Sequence, residues 1–177
     1  MRKIILNLAI SLDGYIADKD GGFDWIMGDG DPNHNTDKQF DFPAFVGGVD
    51  TIVMGANAFL DCGIVNIENY QEKKFIVATS RTMESNEYVE FFNGDIIKRI
   101  QELREEEGSD IWLFGGAGLT DAFIKADIID EYIIGIIPII LGKGRPLFLE
   151  NNPTIPLHLQ ESTVTDGIAM LRYTKRK

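Results

Sequence analysis

Apolar, β-branched segments alternate with segments of helical character along this chain, and this alternation restricts the folds that it can adopt. Antiparallel pairing is indicated for residues 157–162 and 168–173, with a turn near Asp166 and Gly167. The pattern therefore predicts an α/β fold with a mainly parallel central sheet and an antiparallel hairpin at its C-terminal edge. The remaining predicted strands are residues 3–10, 50–55, 74–79, 88–92, 110–114 and 131–141, and the predicted helices are residues 37–47, 96–107 and 119–126.

Residues 11–36 form a long polar segment between the first strand and the first helix. The segment is rich in Gly and Asp and contains Trp25. Loops of this length inside compact domains are usually functional, and an embedded aromatic side chain favours an ordered loop that packs on the rest of the molecule. Pro43 lies within the following helix pattern, so it must either occupy the first turn or bend the helix.

Length, charge and cysteine content narrow the class of protein. A chain of 177 residues fits a single domain spanning residues 1–177. Its net charge of −11 argues against binding to nucleic acid. The apolar N-terminal run is too short to cross a bilayer, so no membrane attachment is expected. Cys62 is a single cysteine, which excludes an internal disulfide and favours a cytoplasmic location.

Several kinds of chemistry lack the residues that they need. His34 and His158 are the two histidines, too few for a catalytic zinc site, and the nucleophile elbow of a serine triad does not occur. The Asp-rich segment lacks the Gly and Glu positions of a calcium-binding loop. Neither a P-loop nor a GxGxxG fingerprint occurs. No metal is expected, and the lone Cys62 is expected to be inert.

Two glycine-containing junctions remain as candidate binding elements. Gly115, Gly116, Ala117, Gly118 and Leu119 join a buried strand to a helix. Glycines there allow the backbone to approach a ligand closely, and the free amides of the helix can bind an anion such as pyrophosphate. A tight strand-to-helix turn that requires small residues would explain the same pattern.

The second junction is Gly55, Ala56 and Asn57, also between a strand and a predicted helix. A third strand end carries Thr79, Ser80 and Arg81. Because the carboxyl ends of parallel strands meet at one edge of an open sheet, the three junctions together suit a phosphate-rich cofactor. Arg81 is the candidate for a terminal phosphate, or it is a solvated arginine in a turn.

Four motifs occur in a fixed order and carry a resemblance to a known family. They are SLDGYIA at 11–17, VMG at 53–55, GGAGL at 115–119 and PIILGKGRPLF at 138–148. Together they resemble the dihydrofolate reductase-like superfamily. Within it, the chain is most similar to the reductase (C-terminal) domain of the riboflavin-biosynthesis protein RibD and to its single-domain relatives.

The resemblance implies a three-layer dihydrofolate reductase-like fold with NADPH across the carboxyl edge of the sheet. It implies hydride transfer to a small pyrimidine or pteridine-like substrate, as in the 5-amino-6-(5-phosphoribosylamino)uracil reductase of riboflavin biosynthesis. Residues 115–119 would hold the pyrophosphate of NADPH, and residues 55–57 with Ser80 and Arg81 would flank its adenosine end. Ala9, Ala17 and the region of Asp13 would meet the nicotinamide.

Two positions depart from relatives of this type. The position after Met54 and Gly55 is basic in many relatives but is Ala56 here. A preference for NADPH over NADH would therefore depend on Arg81. Dihydrofolate reductases also keep a carboxylate on the first helix. Asp37 and Asp41 fall in that stretch, but each is equally a candidate helix cap or surface residue. The substrate proton would come from solvent or from a loop group such as Asp13, which is also a candidate turn residue.

Two alternative functions stay open at this stage. One is a true dihydrofolate reductase, and the other is a non-catalytic nucleotide-binding regulator that has kept the cofactor cleft. Relatives of this branch are commonly homodimers. The apolar run 133–141 and Phe148 could supply an interface, or they could belong to the core.

Overall fold

The computed structural model describes residues 1–64 and 70–176. The strands are β1 (Ile4–Ser11), β2 (Tyr15–Asp18), β3 (Val49–Gly55), β4 (Lys74–Ala78), β5 (Val89–Phe92), β6 (Asp110–Gly115), β7 (Glu131–Ile137), β8 (Gly144–Pro146), β9 (Leu157–Thr165) and β10 (Ile168–Lys175). The α-helices are α1 (Phe42–Gly47), α2 (Ala56–Cys62), α3 (Ile96–Leu103) and α4 (Ala117–Lys125), and Pro32–His34 forms one turn of 3₁₀-helix.

Eight of these strands form the central sheet in the order β5-β4-β3-β6-β1-β7-β10-β9. Neighbours from β5 through β7 run parallel, whereas β10 pairs antiparallel with both β7 and β9. The predicted parallel sheet with an antiparallel C-terminal hairpin is therefore confirmed. The short strands β2 and β8 form a separate antiparallel pair, in which Ala17 lies opposite Arg145.

The central strands β1, β3, β4, β6 and β7 are buried on both faces, since consecutive residues, which point to opposite sides of the sheet, are buried in each of them. On β6, Ile111 and Leu113 pack in the core that contains residues of α3 and α4. Trp112, between them in sequence, packs in the second core with Val46 of α1. Helices thus cover the sheet on both sides, which gives the predicted three layers.

The first helix is shorter than the pattern of residues 37–47 predicted. The side chain of Asp41 accepts a hydrogen bond from the amide of Ala44 at 2.8 Å, which makes Asp41 the N-cap of α1. Pro43 then lies in the first turn, where its missing amide hydrogen costs nothing. The α3 helix is also shorter than expected: it ends at Leu103 and does not continue to Gly108.

The long apolar run 131–141 is a strand only as far as Ile137. Because β7 lies between β1 and β10, Ile133, Ile134 and Ile137 are core residues and are not free to form an interface. Ile140 and Phe148 stay exposed, at 70% and 52% of their surface. In the described part of the chain, no helix combines the length and the apolar character needed to cross a membrane.

Candidate functional site

A cleft of about 1040 Å³ opens at the carboxyl edge of the parallel strands, next to β2 and β8. Its size lies at the upper end of the range for ligand pockets. All of the predicted cofactor-binding residues except Gly115 line it, so positions far apart in sequence are brought into one site. The lining residues among them are Ala9, Ala17, Gly55, Ala56, Asn57, Ser80, Arg81, Gly116, Ala117, Gly118 and Leu119.

The junction between β6 and α4 requires glycine at two successive positions. Gly115 and Gly116 have φ values of +125° and +104°, a region that side-chain-bearing residues rarely adopt. Gly115 is buried and is not among the lining residues, and Gly116 is the N-cap of α4. No described side chain caps α4, whereas aspartates cap α1 and α3. The first amides of α4 are therefore free at the cleft, where they suit an anion.

The other two junctions lie beside the first. Ala56 and Asn57 form the first turn of α2, directly after β3. Arg81 follows β4, and its guanidinium donates to Oδ1 of Asn57 across 3.4 Å. The backbone of Arg81 is held by Thr79, whose Oγ1 accepts from the Arg81 amide at 3.0 Å. A cation, an amide side chain and the hydroxyl of Ser80 thus gather at one end of the cleft, as the sequence predicted.

The opposite end of the cleft is apolar and has small residues in its wall. Ala9 on β1 lies opposite Gly135 on β7, and Gly135 also lines the cleft. A β-carbon on Gly135 would lie 2.8 Å from the sulfur of Met170, so a side chain there would displace Met170. Ala17 on β2 is buried. This end accommodates a flat group against bare backbone.

A polar side chain in the middle of β1 is a site residue that the sequence analysis missed. Asn7 is 5% exposed and lines the cleft. Its side-chain Nδ2 has no hydrogen-bond partner among the described residues, although its backbone oxygen accepts from the indole of Trp112 at 2.9 Å. The available signal was an asparagine within the apolar run 4–10. A buried donor without a partner is costly, so it is a candidate ligand contact.

Aromatic rings form the wall next to Asn7. The ring of Trp112 lies 5.9 Å from that of Phe42 and 5.2 Å from that of Phe114, and Phe40 lines the same region. Aromatic side chains can stack on a planar ligand ring with their faces or contact it with their edges. The aromatic wall and the Asn7 donor together suit a planar heterocycle that carries a hydrogen-bond acceptor.

The 11–36 loop is ordered and attached to the hairpin of β9 and β10. The amide of Asp29 donates to the carbonyl of Asp166 at 2.8 Å, and the side chain of Asn35 exchanges two hydrogen bonds with Asp166. Phe23 and Ile26 of the loop line the cleft. The loop therefore contributes an apolar wall through Phe23 and Ile26. Trp25, on which the expected packing rested, donates its indole N–H to the carbonyl of Gly22 at 3.1 Å and is not among the lining residues.

The three candidate aspartates are not among the residues that line the cleft. Asp13 accepts from the hydroxyl of Ser11 and from the amides of Leu141 and Gly142, so it joins two turns. The Ser11 hydroxyl holds the pKa of the Asp13 carboxyl below its usual range, which opposes a role as proton donor. Asp41 caps α1, and Asp37 is exposed.

Cys62, which also lines the cleft, is a weak nucleophile in this setting. Burial raises the pKa of its thiol, and the charge of Asp61 adds to that effect. Within residues 1–64 and 70–176, no three His, Cys, Asp or Glu side chains form a group that could hold a metal ion.

Comparison with known proteins places this fold and site in context. The sequence model of the RibD C-terminal domain family matches residues 2–169. Two proteins of Bacillus subtilis (strain 168), both described as uncharacterized, are similar over nearly the whole chain. YwjB is 35% identical over 98% of both chains, and YyaP is 31% identical over 97% of this chain and 94% of its own.

Solved structures show the same fold. A protein of Shewanella sp. PV-4 that carries the name of a riboflavin biosynthesis protein superposes with a TM-score of 0.81, at 30% identity over 100% of both chains. A deaminase/5-amino-6-(5-phosphoribosylamino)uracil reductase of Thermotoga maritima gives 0.72 at 18% identity, over 99% of this chain and 57% of that one. A dihydrofolate reductase of Enterococcus faecalis complexed with NADP(H) gives 0.71 at 18% identity, over 99% and 97%. The predicted dihydrofolate reductase-like fold is confirmed.

Proposed function

The chain belongs to the RibD C-terminal domain family, and from this premise we propose that it is an NADPH-dependent reductase. Its substrate is a small pyrimidine or pteridine-like heterocycle, most like 5-amino-6-(5-phosphoribosylamino)uracil. The observation that carries the proposal is a single cleft with an uncapped helix N-terminus and Arg81 at one end and the buried, unpartnered Asn7 in an aromatic wall.

The cofactor end of the cleft fits the phosphates of NADPH. Bare backbone at Gly55 and Gly116 leaves room for the pyrophosphate beside the free amides of α4. The 2′-phosphate would lie near Arg81, Asn57 and Ser80, because Ala56 offers no charge. One guanidinium can supply the charge-assisted bonds that discriminate NADPH from NADH. NADH, by comparison, would leave Arg81 without an anionic partner.

The apolar end of the cleft fits a nicotinamide ring next to a second planar ring. Ala9, Ala17 and Gly135 allow close approach, and Asn7 with the Trp112 wall orients the substrate. NADPH, when bound, supplies the hydride. The residues of the chain bind and orient both rings, and Phe23 and Ile26 of the 11–36 loop exclude water. Asp13, Asp37 and Asp41 are not among the lining residues, so we assign the substrate proton to solvent in preference to these three carboxyls.

Purified protein tests the proposal directly. NADPH binding is measured by calorimetry, and turnover is followed by the loss of NADPH absorbance with 5-amino-6-(5-phosphoribosylamino)uracil or dihydrofolate. Turnover of the first substrate supports the proposal, and turnover of dihydrofolate alone identifies a dihydrofolate reductase. NADPH binding without turnover of either indicates a nucleotide-binding regulator. Absence of NADPH binding contradicts the proposal.

We infer further that two copies of the chain associate. Leu12, 64% exposed, and Ile140, 70% exposed, lie in neighbouring backbone segments, since the amide of Leu12 donates to the carbonyl of Ile139 at 2.8 Å. Exposed apolar side chains that cluster favour a protein contact. Light scattering should return twice the 19.8 kDa of one chain. A mass of one chain at all micromolar concentrations contradicts the dimer. The cytoplasmic location stays a prediction.

A further inference from the structure

Arg145 lies at the end of the cleft opposite to Arg81, in the motif PIILGKGRPLF that the proposed cofactor contacts do not use. It belongs to β8 and pairs with Ala17 of β2, and both residues line the cleft. A β-carbon on Gly21 would lie 3.0 Å from Nη2 of Arg145. The guanidinium therefore rests against bare backbone of the 11–36 loop, at the mouth of the apolar end.

The guanidinium of Arg145 has no bound acceptor in the part of the chain that the structure describes. Asp18, the acid on the neighbouring strand, accepts instead from the amides of Asp20 and Gly22, at 2.8 Å each. Every other arginine of the chain donates to a protein acceptor. These pairs are Arg2 with Asp50, Arg81 with Asn57, Arg99 with Glu90, Arg104 with Asp130, Arg172 with Glu131 and Arg176 with the carbonyl of Leu157.

The charge of the cleft differs from that of the whole molecule. The chain carries a net charge of −11. Among the described residues that line the cleft, the charged ones are Arg81, Arg145 and Asp61, which leaves an excess of positive charge. Arg81 follows β4, whereas Arg145 lies within β8. The phosphates of a bound NADPH would reach Arg81 and the N-terminus of α4. In this arrangement, an anion at Arg145 would belong to a second molecule.

We propose that Arg145 binds an anionic group of the substrate, a phosphate or a carboxylate, and thereby selects anionic substrates. The inference rests on the proposed reductase function and names a specificity residue for it. A guanidinium binds either anion through two parallel N–H donors, and a free guanidinium at the edge of a cleft loses little hydration on doing so. The ring of the substrate would lie deeper, against Asn7 and the aromatic wall.

Binding titrations on the full chain with NADPH present test this inference without relying on turnover. The ligands are 5-amino-6-(5-phosphoribosylamino)uracil, its dephosphorylated counterpart and dihydrofolate, which carries carboxylates. Arg145→Ala should weaken the binding of the phosphorylated ligand or of dihydrofolate by about ten- to a hundredfold, and the affinity for the dephosphorylated ligand should be unchanged. The ligand that responds identifies phosphate or carboxylate as the partner. Arg145→Lys, which keeps the charge and loses the paired donors, should give a smaller loss.

Lys143→Ala is the matched control, because Lys143 is exposed, lies two residues away and does not line the cleft. It should leave all three affinities unchanged. Equal losses in Lys143→Ala and Arg145→Ala would mean a long-range charge effect and would overturn the proposal. The proposal would also be overturned if Arg145→Ala bound both anionic ligands as tightly as wild-type protein does. It would be overturned as well if wild-type protein bound neither of the two anionic ligands. NADPH affinity, measured in parallel, should be the same in all variants. If wild-type protein does not bind NADPH, the proposed reductase function is contradicted, whereas the proposed anion contact of Arg145 is tested by the other titrations.

Discussion

Gly116 lies against Gly55, so that a β-carbon on Gly116 would be 3.7 Å from the amide nitrogen of Gly55. The contact joins the β6–α4 junction to the β3–α2 junction through backbone alone. The β-carbon itself fits at that distance, but the φ of +104° at Gly116 strains any residue with a side chain. Branched side chains would also extend into the space that we assign to pyrophosphate.

Gly116→Val should therefore weaken NADPH binding at least about tenfold, which corresponds to about 1.4 kcal/mol. The reason is the loss of close backbone approach at the N-terminus of α4. Calorimetric titration of NADPH measures the effect, and circular dichroism shows whether the variant is folded.

The control for Gly116→Val is the same substitution at Gly30. Gly30 also has a left-handed backbone, with φ +76°, and no described atom lies within 4 Å of an added β-carbon. It does not line the cleft. Gly30→Val should carry a similar backbone strain and retain NADPH affinity. If a folded Gly116→Val binds NADPH as tightly as Gly30→Val does, the pyrophosphate site lies elsewhere.

Arg81→Ala should weaken the binding of NADPH by about ten- to a hundredfold and leave the affinity for NADH nearly unchanged. The reason is that the 2′-phosphate, absent from NADH, is the group assigned to Arg81 and Asn57. The loss should shrink as salt rises, because salt screens exposed charges. Lys98→Ala, which removes an exposed cation on α3, should change neither affinity. Equal losses for the two cofactors would instead place Arg81 at the pyrophosphate or in the fold.

Glu131 gives a pH-dependent contribution to stability that is independent of the cleft. Burial raises the pKa of its carboxyl, but hydrogen bonds from Lys3 and Arg172, each at 2.7 Å, outweigh burial and leave the pKa below its ordinary value of 4.5. A carboxyl whose pKa is lower in the folded chain stabilises it above pH 4.5. That contribution is lost as the pH falls through the folded-state pKa.

Glu131→Gln should lower the free energy of unfolding by roughly 1–2 kcal/mol at pH 7, between the values for exposed and buried pairs, because the remaining charges of Lys3 and Arg172 are half exposed. Urea denaturation at pH 7 and below pH 4 measures the difference, which should shrink at the lower pH. Glu102→Gln, whose pair with Lys98 is exposed, should change stability little. A deficit in Glu131→Gln that is the same at both pH values would contradict the assigned ion pair.

The parts of the fold with strong local signals were predictable. The segment 52–54 is apolar on both faces because β3 lies between β4 and β6, and such runs identify central parallel strands. The glycines at 115 and 116 identified a strand-to-helix junction, because the left-handed backbone there excludes other residues. Most of the cofactor end of the candidate site follows from these two signals and from the rule that strand ends meet at one edge.

The parts that depend on distant pairing were not predictable. Tyr15–Asp18 form β2 only through β8, more than a hundred residues later, so the sequence pattern indicated a loop. The guanidinium of Arg145 reaches the cleft through the same pairing. The role of Asn7 was not predicted because it lies within an apolar run, and the face of the sheet on which it lies depends on the register between β1 and β6. In each case a long-range contact decides what the local pattern leaves open.

Asn7→Leu should raise stability and lower activity. The substitution removes a buried donor without a partner, worth about 1 kcal/mol of unfolding free energy. It also removes the proposed contact to the substrate ring, so KM should rise about tenfold while NADPH affinity is unchanged. Thr163→Val is the matched control: its buried Oγ1 also lacks a described partner, but Thr163 does not line the cleft. Thr163→Val should raise the free energy of unfolding and leave KM unchanged. Urea denaturation and steady-state kinetics measure both quantities, and an unchanged KM in Asn7→Leu would remove Asn7 from the substrate site.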